Sequence, residues 1–264
     1  MEMRTDFISI LLGCIVASLA AADDVRLSHT TSDEVVFGFG RVCPALGTAA
    51  TVEASSYWRS LDLRDQGVMQ DLRVTSVQFG IESLRLPTLL EVDIAVNLYA
   101  APEGTPPQTG LPLIGSAVAS VGDVSGGVVS VDVDALAAVG SAVVVQVSVP
   151  SLRDLAGGEF GDSFLPGANG SGETKPVYFA SDACGIAEPE PWNPDWGTFH
   201  YVLTVTGSPF CATDLDGDGE LTVFDFLAFQ NFFDARDPRA DLDGDGAFTI
   251  FDFLEFQNRF TLGC

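Results

Sequence analysis

Two stretches near the C-terminus are almost identical: DLDGDGELTVFDFLAFQNFF from Asp214 and DLDGDGAFTIFDFLEFQNRF from Asp241. They begin 27 residues apart and agree at 15 of 20 positions. An internal repeat of this kind indicates that each copy forms one structural unit. Each copy has Asp at positions 1, 3, 5 and 12 of a twelve-residue window and Gly at position 6, which is the ligand spacing of an EF-hand-type calcium loop.

This spacing predicts one Ca²⁺ ion in each loop, two ions in all. Ca²⁺ takes oxygen ligands, which Asp side chains and the backbone carbonyl at position 7 would supply. Because the carboxylates of a metal-free loop repel one another, folding should be coupled to metal binding. The expected ligands are Asp214, Asp216, Asp218, the Glu220 carbonyl and Asp225 in the first loop, and Asp241, Asp243, Asp245, the Ala247 carbonyl and Asp252 in the second.

Each loop is followed by a regular spacing of Phe, with ten of the 19 Phe of the chain lying after Cys211. The spacing i, i+3, i+7 predicts a helix that begins near loop position 12 and buries one Phe face. Three further Phe, at 224, 232 and 251, lie off that face, where they either complete the core or form a docking surface. The predicted faces consist of Phe226, Phe229 and Phe233, and of Phe253, Phe256 and Phe260.

No helical pattern precedes either loop, so each unit is a loop followed by a helix. A duplicated loop-helix unit with Asp at position 12 resembles a dockerin domain, and Cys211 with the terminal Gly263-Cys264 resembles the cysteine-bracketed variant. The resemblance covers residues 211–264. It implies a non-catalytic module that docks onto a cohesin receptor on a scaffold or cell surface and anchors the domain fused to it. The near-identity of the repeats implies a pseudo-twofold module that could bind in either of two orientations.

Loop positions 10 and 11 differ from the family, whose members often carry small polar residues there. Their apolar side chains favour a different surface receptor, cohesin-like or other, or docking of the module onto its own β domain. These residues are the candidate docking surface: Val223, Phe224, Ile250 and Phe251.

The larger part of the chain alternates apolar and polar residues, which is typical of half-buried strands. Short strands separated by Gly, Pro and Asp clusters predict a mainly β fold, an antiparallel β-sandwich of jelly-roll type, with a barrel as the alternative. The composition changes after 207–209. The predicted domains are a signal peptide at 1–22, a β-sandwich domain at 23–207 and the dockerin-like domain at 208–264. Strand candidates outside the clearest alternating runs are 35–39, 57–63, 72–82, 113–121, 142–149 and 177–181.

The N-terminus has the pattern of a secretory signal. Arg4 precedes an apolar run over 7–22 that ends in small residues before Asp23. The run is short for a membrane span and suits a cleaved signal peptide. Lipidation at Cys14 is the alternative, and no second apolar stretch is long enough to cross a bilayer. We therefore expect an exported protein, extracellular or associated with the cell surface. The stretches 56–63, 74–83 and 178–186 loosely resemble exported bacterial β-sandwich domains of unassigned function, and this resemblance implies a bacterial protein.

The charge of the chain excludes some partners. With 37 acidic residues against 12 basic ones, the formal net charge is −25. Nucleic acid and anionic membrane surfaces both need clustered Lys and Arg, so neither is an expected partner.

After signal cleavage four cysteines remain, an even number that suggests disulfides in an exported chain. Three connectivities are possible. In one of them Cys211 and Cys264 close the calcium module into a ring, and Cys43 pairs with Cys184. Free thiols or metal ligands are the alternative.

The β domain carries little that points to catalysis, and we expect a non-enzyme. HExxH, GxSxG and Gly-rich phosphate motifs are all absent from the sequence. Carboxylates are plentiful, so a glycoside hydrolase with an unrecognised site is one alternative. The loop EPEPWNPDW at 188–196 gives another, a carbohydrate-binding component of a polysaccharide-degrading complex. Its Trp192 and Trp196 either stack on sugar rings or pack beneath the loop.

Overall fold

The computed structural model describes residues 24–42, 53–157 and 161–263. Within these ranges the chain is mainly β, and a small helical module, residues 211–263, follows the β region. The predicted signal segment 1–22, with Cys14, lies outside the described residues. The strands are β1 (Val25–Ser28), β2 (Ser55–Asp62), β3 (Asp71–Arg85), β4 (Val92–Pro102), β5 (Leu113–Val121), β6 (Val124–Ala137), β7 (Ser141–Val149), β8 (Ser163–Pro166), β9 (Ala168–Asn169), β10 (Tyr178–Ser181), β11 (Ile186–Pro191), β12 (His200–Tyr201) and β13 (Leu203–Phe210), and the helices are α1 (Leu152–Leu155), α2 (Val223–Ala235) and α3 (Ile250–Leu262).

Two antiparallel sheets contain most of the strands. One has the order β1-β13-β3-β6, with β8 also paired to β3, and the other has the order β11-β10-β2-β7-β4-β5. Strands β9 and β12 form a small third sheet. Strand β1 pairs with β13, so the beginning and the end of the β region lie side by side.

The core of the β region is built from the alternating positions of both large sheets. On β4 the apolar positions are buried and Asp93 between them is exposed. Full burial of a Val, Leu, Ile or Phe side chain contributes roughly 1.5–3 kcal/mol. One cluster joins the buried faces of β3 and β4, through Val77, Phe79 and Ile81 on the first and Val92, Ile94, Val96 and Leu98 on the second.

The strand predicted over 35–39 is wrong. Residues 32–42 contain no strand, although Val35, Phe37 and Phe39 alternate with other residues. The buried carboxylate of Glu82 on β3 accepts the N–H groups of residues 38 and 40, at 3.0 and 2.6 Å. A side chain therefore binds the backbone donors of this segment that a neighbouring strand would otherwise bind.

Both long helices begin two residues earlier than predicted, at loop position 10 instead of near position 12. Thr222 and Thr249 at position 9 are the N-caps, and their hydroxyls accept the N–H groups of Phe224 and Phe251, both at 3.1 Å. The carboxylates at position 12 accept the N–H groups of these Thr residues, which completes two capping boxes. The position-12 Asp is thus the third residue of its helix.

The helical module has a small core of its own. Phe229 and Phe256, which occupy the same position in the two repeats, stack with ring centroids 4.7 Å apart. The buried Ala240 from the short 3-10 turn Pro238–Ala240 completes the centre. Further side chains that pack on this core are Leu215, Phe226, Phe232, Phe233, Leu242, Phe248, Phe253 and Phe260.

Among the described residues, no helix is long and apolar enough to span a bilayer.

The imidazole of His29 is buried where three segments of the β region meet. Its Nδ1 lies 2.7 Å from the Thr174 hydroxyl and its Nε2 lies 2.8 Å from the Ser60 carbonyl oxygen. The carbonyl can only accept, so Nε2–H donates to it, and Nδ1 accepts from Thr174 in the neutral ring. Burial lowers the pKa of His29, and the charges of Arg59 and Lys175 lower it further.

Acidification from pH 7 to pH 5 is expected to destabilise the β region through His29. The unfolded chain has the higher histidine pKa, about 6.5, so it binds the extra proton first and stability falls as the pH drops through that value. One proton gives at most about 1.4 kcal/mol per pH unit. Thermal melts across this range should show a flatter pH dependence in His29→Gln than in the wild type. Equal slopes in both would contradict the assignment.

Candidate metal centres and docking surface

Each loop brings three carboxylates together. One oxygen from each lies within 4.8 Å of the other two, for Asp214, Asp216 and Asp225 in the first loop and for Asp241, Asp243 and Asp252 in the second. Two oxygens bound to one Ca²⁺ at about 2.4 Å are at most about 4.8 Å apart, so each group is compact enough to share one ion. In both groups the position-12 Asp is buried and the position-3 Asp is exposed.

The loop backbone is wound around the carboxylate at position 1. Asp214 accepts the N–H groups of Gly217, Asp218 and Gly219, at 2.9, 3.1 and 2.9 Å. Gly217 and Gly219 have φ values of 75° and 84°, a left-handed conformation that favours glycine. The loop spacing predicts the glycine at position 6, and the repeated DGDG motif indicates that position 4 also needs glycine.

The remaining predicted ligands stand outside these three-carboxylate groups. Asp218 and Asp245 at position 5 are exposed, and each accepts the N–H group of the position-7 residue, Glu220 at 2.8 Å and Ala247 at 2.7 Å. The position-5 carboxylates therefore lie beside the position-7 residues, whose carbonyls are the remaining predicted ligands. The geometry brings together three of the five predicted ligands in each loop.

The hydrogen bonds of the second loop show whether its carboxylates suit a bound cation. The Oδ1 atom of Asp241 is buried and has no hydrogen-bond partner, whereas its Oδ2 accepts the N–H of Gly246 at 3.0 Å. A buried anionic oxygen without a donor is costly. A hard cation at the carboxylate group would satisfy this atom, so the residues present suit Ca²⁺.

Desolvation and neighbouring carboxylates raise the pKa of the exposed Asp at position 3 of each loop. The pKa of Asp216 is raised by desolvation and by the charges of Asp218, Asp225 and Asp214. The pKa of Asp243 is also raised, because desolvation and nearby carboxylates outweigh the hydrogen bond from the Asp245 N–H. Each loop is therefore a site of negative charge that a cation would stabilise.

Two apolar patches follow the loops. Patch 1 consists of Val223, Phe224 and Leu227, and patch 2 of Ile250, Phe251 and Leu254, with residue exposures from 45% to 62%. The two leucines extend the predicted docking surface, because they lie one helical turn beyond the apolar pairs. Ile250 also lines a cavity of about 630 Å³ between α2 and the start of α3.

The two tryptophans of the 188–196 loop have different environments. Trp192 is 9% exposed, belongs to the main core and donates its Nε1–H to the Gly197 carbonyl at 3.0 Å. Trp196 is 50% exposed and meets Trp192 edge to face, with centroids 5.3 Å apart. Both line a cavity of about 580 Å³ whose charged side chains are Arg41 and Glu190.

Cys184 and Cys211 are each disulfide-bonded. The other two cysteines of the predicted pairs, Cys43 and Cys264, lie outside the described residues, so the connectivity stays a prediction.

Buried carboxylates of the β region are engaged by protein donors. Asp62 binds Lys175 Nζ at 2.5 Å and the N–H of Gly104 at 2.9 Å. Asp162 accepts the N–H of Thr88 at 3.0 Å. With Glu82, these side chains hold loops against strands, which is a structural task.

Comparison with protein-family models finds no match to this chain, and comparison with curated proteins finds none either. The resemblance of residues 211–264 to dockerin domains is therefore an interpretation of the sequence pattern alone.

Proposed function

We propose that this protein is exported and non-catalytic, and that its dockerin-like module binds two Ca²⁺ ions and docks the β region onto a cohesin-like receptor or another cell-surface assembly. In this proposal the β region is an antiparallel β-sandwich. The observation that carries the proposal is the repeated pairing of a three-carboxylate group with an exposed apolar patch. The signal-like segment and the disulfide-bonded Cys184 and Cys211 support export.

Calcium would act by fixing the first turn of each helix. The position-12 ligands Asp225 and Asp252 are the third residues of α2 and α3, and the patch residues 223, 224, 250 and 251 are the first and second. An ion bound to the loop therefore holds the backbone that presents the patch. This links metal binding to docking through a single helical turn.

Charge indicates the chemistry of the receptor. Residues 211–264 contain twelve Asp or Glu against three Arg. Bound calcium offsets part of this charge. The exposed Glu220 comes three residues before patch 1 in the sequence, and the exposed Asp234 lines the same cavity as Ile250 of patch 2. A complementary receptor surface would have an apolar centre and a basic rim.

Capture of the receptor from the cell envelope by the full chain is expected to require Ca²⁺ and both patches. Phe224→Ser with Phe251→Ser should weaken capture by at least tenfold, because buried aromatic anchors dominate interface energies. The variant should still bind two Ca²⁺ by calorimetry, since neither residue is a ligand. Leu90→Ser, which alters an almost fully exposed apolar residue of the β region, is the matched control. Unchanged capture by the double variant would exclude the patches as the docking surface.

A second candidate function is carbohydrate binding at Trp196, as part of a polysaccharide-degrading complex. The half-exposed indole beside Arg41 and Glu190 is the observation that favours it. Glycan binding that is lost in Trp196→Ala would support this function, whereas turnover of a polysaccharide would point to the hydrolase alternative.

A further inference from the structure

The guanidinium of Arg259 on α3 joins the helical module to the β region. It donates to Asp71 Oδ2 at 3.3 Å and to the Leu242 carbonyl at 2.9 Å, while its Nε donates to Glu255 at 2.6 Å. Asp71 is the first residue of β3 and is buried. Among the described residues, this ion pair is the one that connects the module to the sheets.

Both ends of this connection are held by further hydrogen bonds. Asp71 Oδ1 accepts the N–H of Val139 in the turn between β6 and β7, at 2.7 Å. At the other end, Leu242 is the second residue of the second calcium loop, and its N–H donates to Asp252 Oδ1 at 2.9 Å. A continuous path therefore runs from the position-12 ligand of the second loop to the β6–β7 turn.

The first repeat has the metal end of this path but lacks the rest. Leu215 donates to Asp225 at 2.8 Å, as Leu242 does to Asp252. The position that matches Arg259 is Phe232, which packs on the module core and is covered by the guanidinium of Arg239, 3.7 Å from the ring centroid. Phe232 cannot form an ion pair with the β region.

We infer that the two calcium sites have different tasks, because Arg259 couples the second site alone to the β region. Calcium at the second loop fixes Leu242, which holds Arg259 against Asp71 and so seats the module on the sheets. Calcium at the first loop orders its own helix and patch 1. That loop reaches the β region through the backbone of β13, whose Phe210 pairs with Asp71, and it has no counterpart of Arg259. The inference rests on the proposed binding of two Ca²⁺ ions. Coupling of this kind is reciprocal, so the Arg259–Asp71 contact must in turn raise the calcium affinity of the second site.

The first test uses the full chain and matched variants at loop position 3. Asp216→Ala weakens the first site and Asp243→Ala weakens the second, so calorimetry reads the remaining site in each background. Asp71→Asn is then added to both, because Asn keeps an oxygen for the Val139 N–H but removes the charge that faces Arg259. The calcium affinity of the second site should fall about fivefold and that of the first should change less than twofold.

The second test reads the seating of the module directly. Hydrogen exchange of the Val139 amide should slow when Ca²⁺ is added to wild type and to Asp216→Ala, and should not slow in Asp243→Ala. Arg259→Phe, which copies the first repeat, should abolish the effect, and Arg259→Lys should restore part of it by keeping the charge near Asp71.

The outcomes separate the inference from the proposed function. Equal effects of Asp71→Asn on both sites, no effect on either, or slowed exchange in Asp243→Ala would overturn the coupling while calcium binding stands. A wild-type chain that binds no Ca²⁺ would overturn the proposed function and the coupling together.

Discussion

Chelation of calcium from the full chain is expected to unfold the helical module while the β region stays folded. In the proposed function each ion would stabilise the folded state by about 2.7 kcal/mol at a free concentration of 100 times its Kd, so two ions would contribute about 5 kcal/mol. That is as large as the whole stability of many small domains. The module buries few side chains fully, with Phe229, Ala240 and Phe256 at its centre, so it has little to offset this loss. Far-ultraviolet circular dichroism in Ca²⁺ and in EDTA measures the loss of helix.

Two substitutions at loop position 12 separate the metal ligand from the helix cap. Asp225 accepts the N–H groups of Leu215 and Thr222 in addition to being a proposed ligand. Asp225→Asn removes the charge and leaves one side-chain oxygen for these N–H groups, so in Ca²⁺ it should weaken calcium binding and lower the melting temperature of the module. Asp225→Ala should lose about 1 kcal/mol more, because the capping box is broken. Asp234→Asn, with the same charge change outside the loops, is the control. Identical melts in Ca²⁺ and EDTA would contradict the metal proposal.

The local parts of this structure could be predicted from the sequence, because their causes lie within a few residues. The grouping of three carboxylates in each loop follows from their fixed spacing, and the Phe faces follow from helical periodicity. That these carboxylates bind calcium stays a prediction. The helix starts were misplaced for an equally local reason. Thr222 and Thr249 are good N-caps and the position-12 Asp completes the capping box, a signal that was present but not used.

The long-range parts could not be predicted, since no local pattern encodes them. The pairing of β1 with β13 joins Val25 to Gly207. The contact of Arg259 with Asp71 spans 188 positions. In the 35–39 segment a local pattern led to a wrong prediction. Its alternation of residues suggests a strand, but the carboxylate of Glu82, more than 40 residues further along the chain, accepts the N–H groups of residues 38 and 40 in place of a neighbouring strand. Which side chain competes for a backbone donor is decided by tertiary structure.

Phe229→Ala is expected to destabilise the module by about 3–5 kcal/mol in saturating Ca²⁺, whereas Phe224→Ala should stay within about 0.5 kcal/mol of wild type. Phe229 is 2% exposed and stacks on Phe256, so its loss leaves a cavity between the two helices. Phe224 is 61% exposed and leaves none. The free energy of unfolding of the module in urea, with Ca²⁺ present, measures both.

The same comparison in the second repeat, Phe256→Ala against Phe251→Ala, tests whether the two repeats share one design. The stacked pair belongs to a single core, so Phe229→Ala and Phe256→Ala together should cost less than the sum of the two alone. If Phe224→Ala or Phe251→Ala destabilised the module as much as its buried partner, that side chain would belong to the core in solution. The docking proposal would then have no surface, because an aromatic ring already packed within the module has no free face for a receptor.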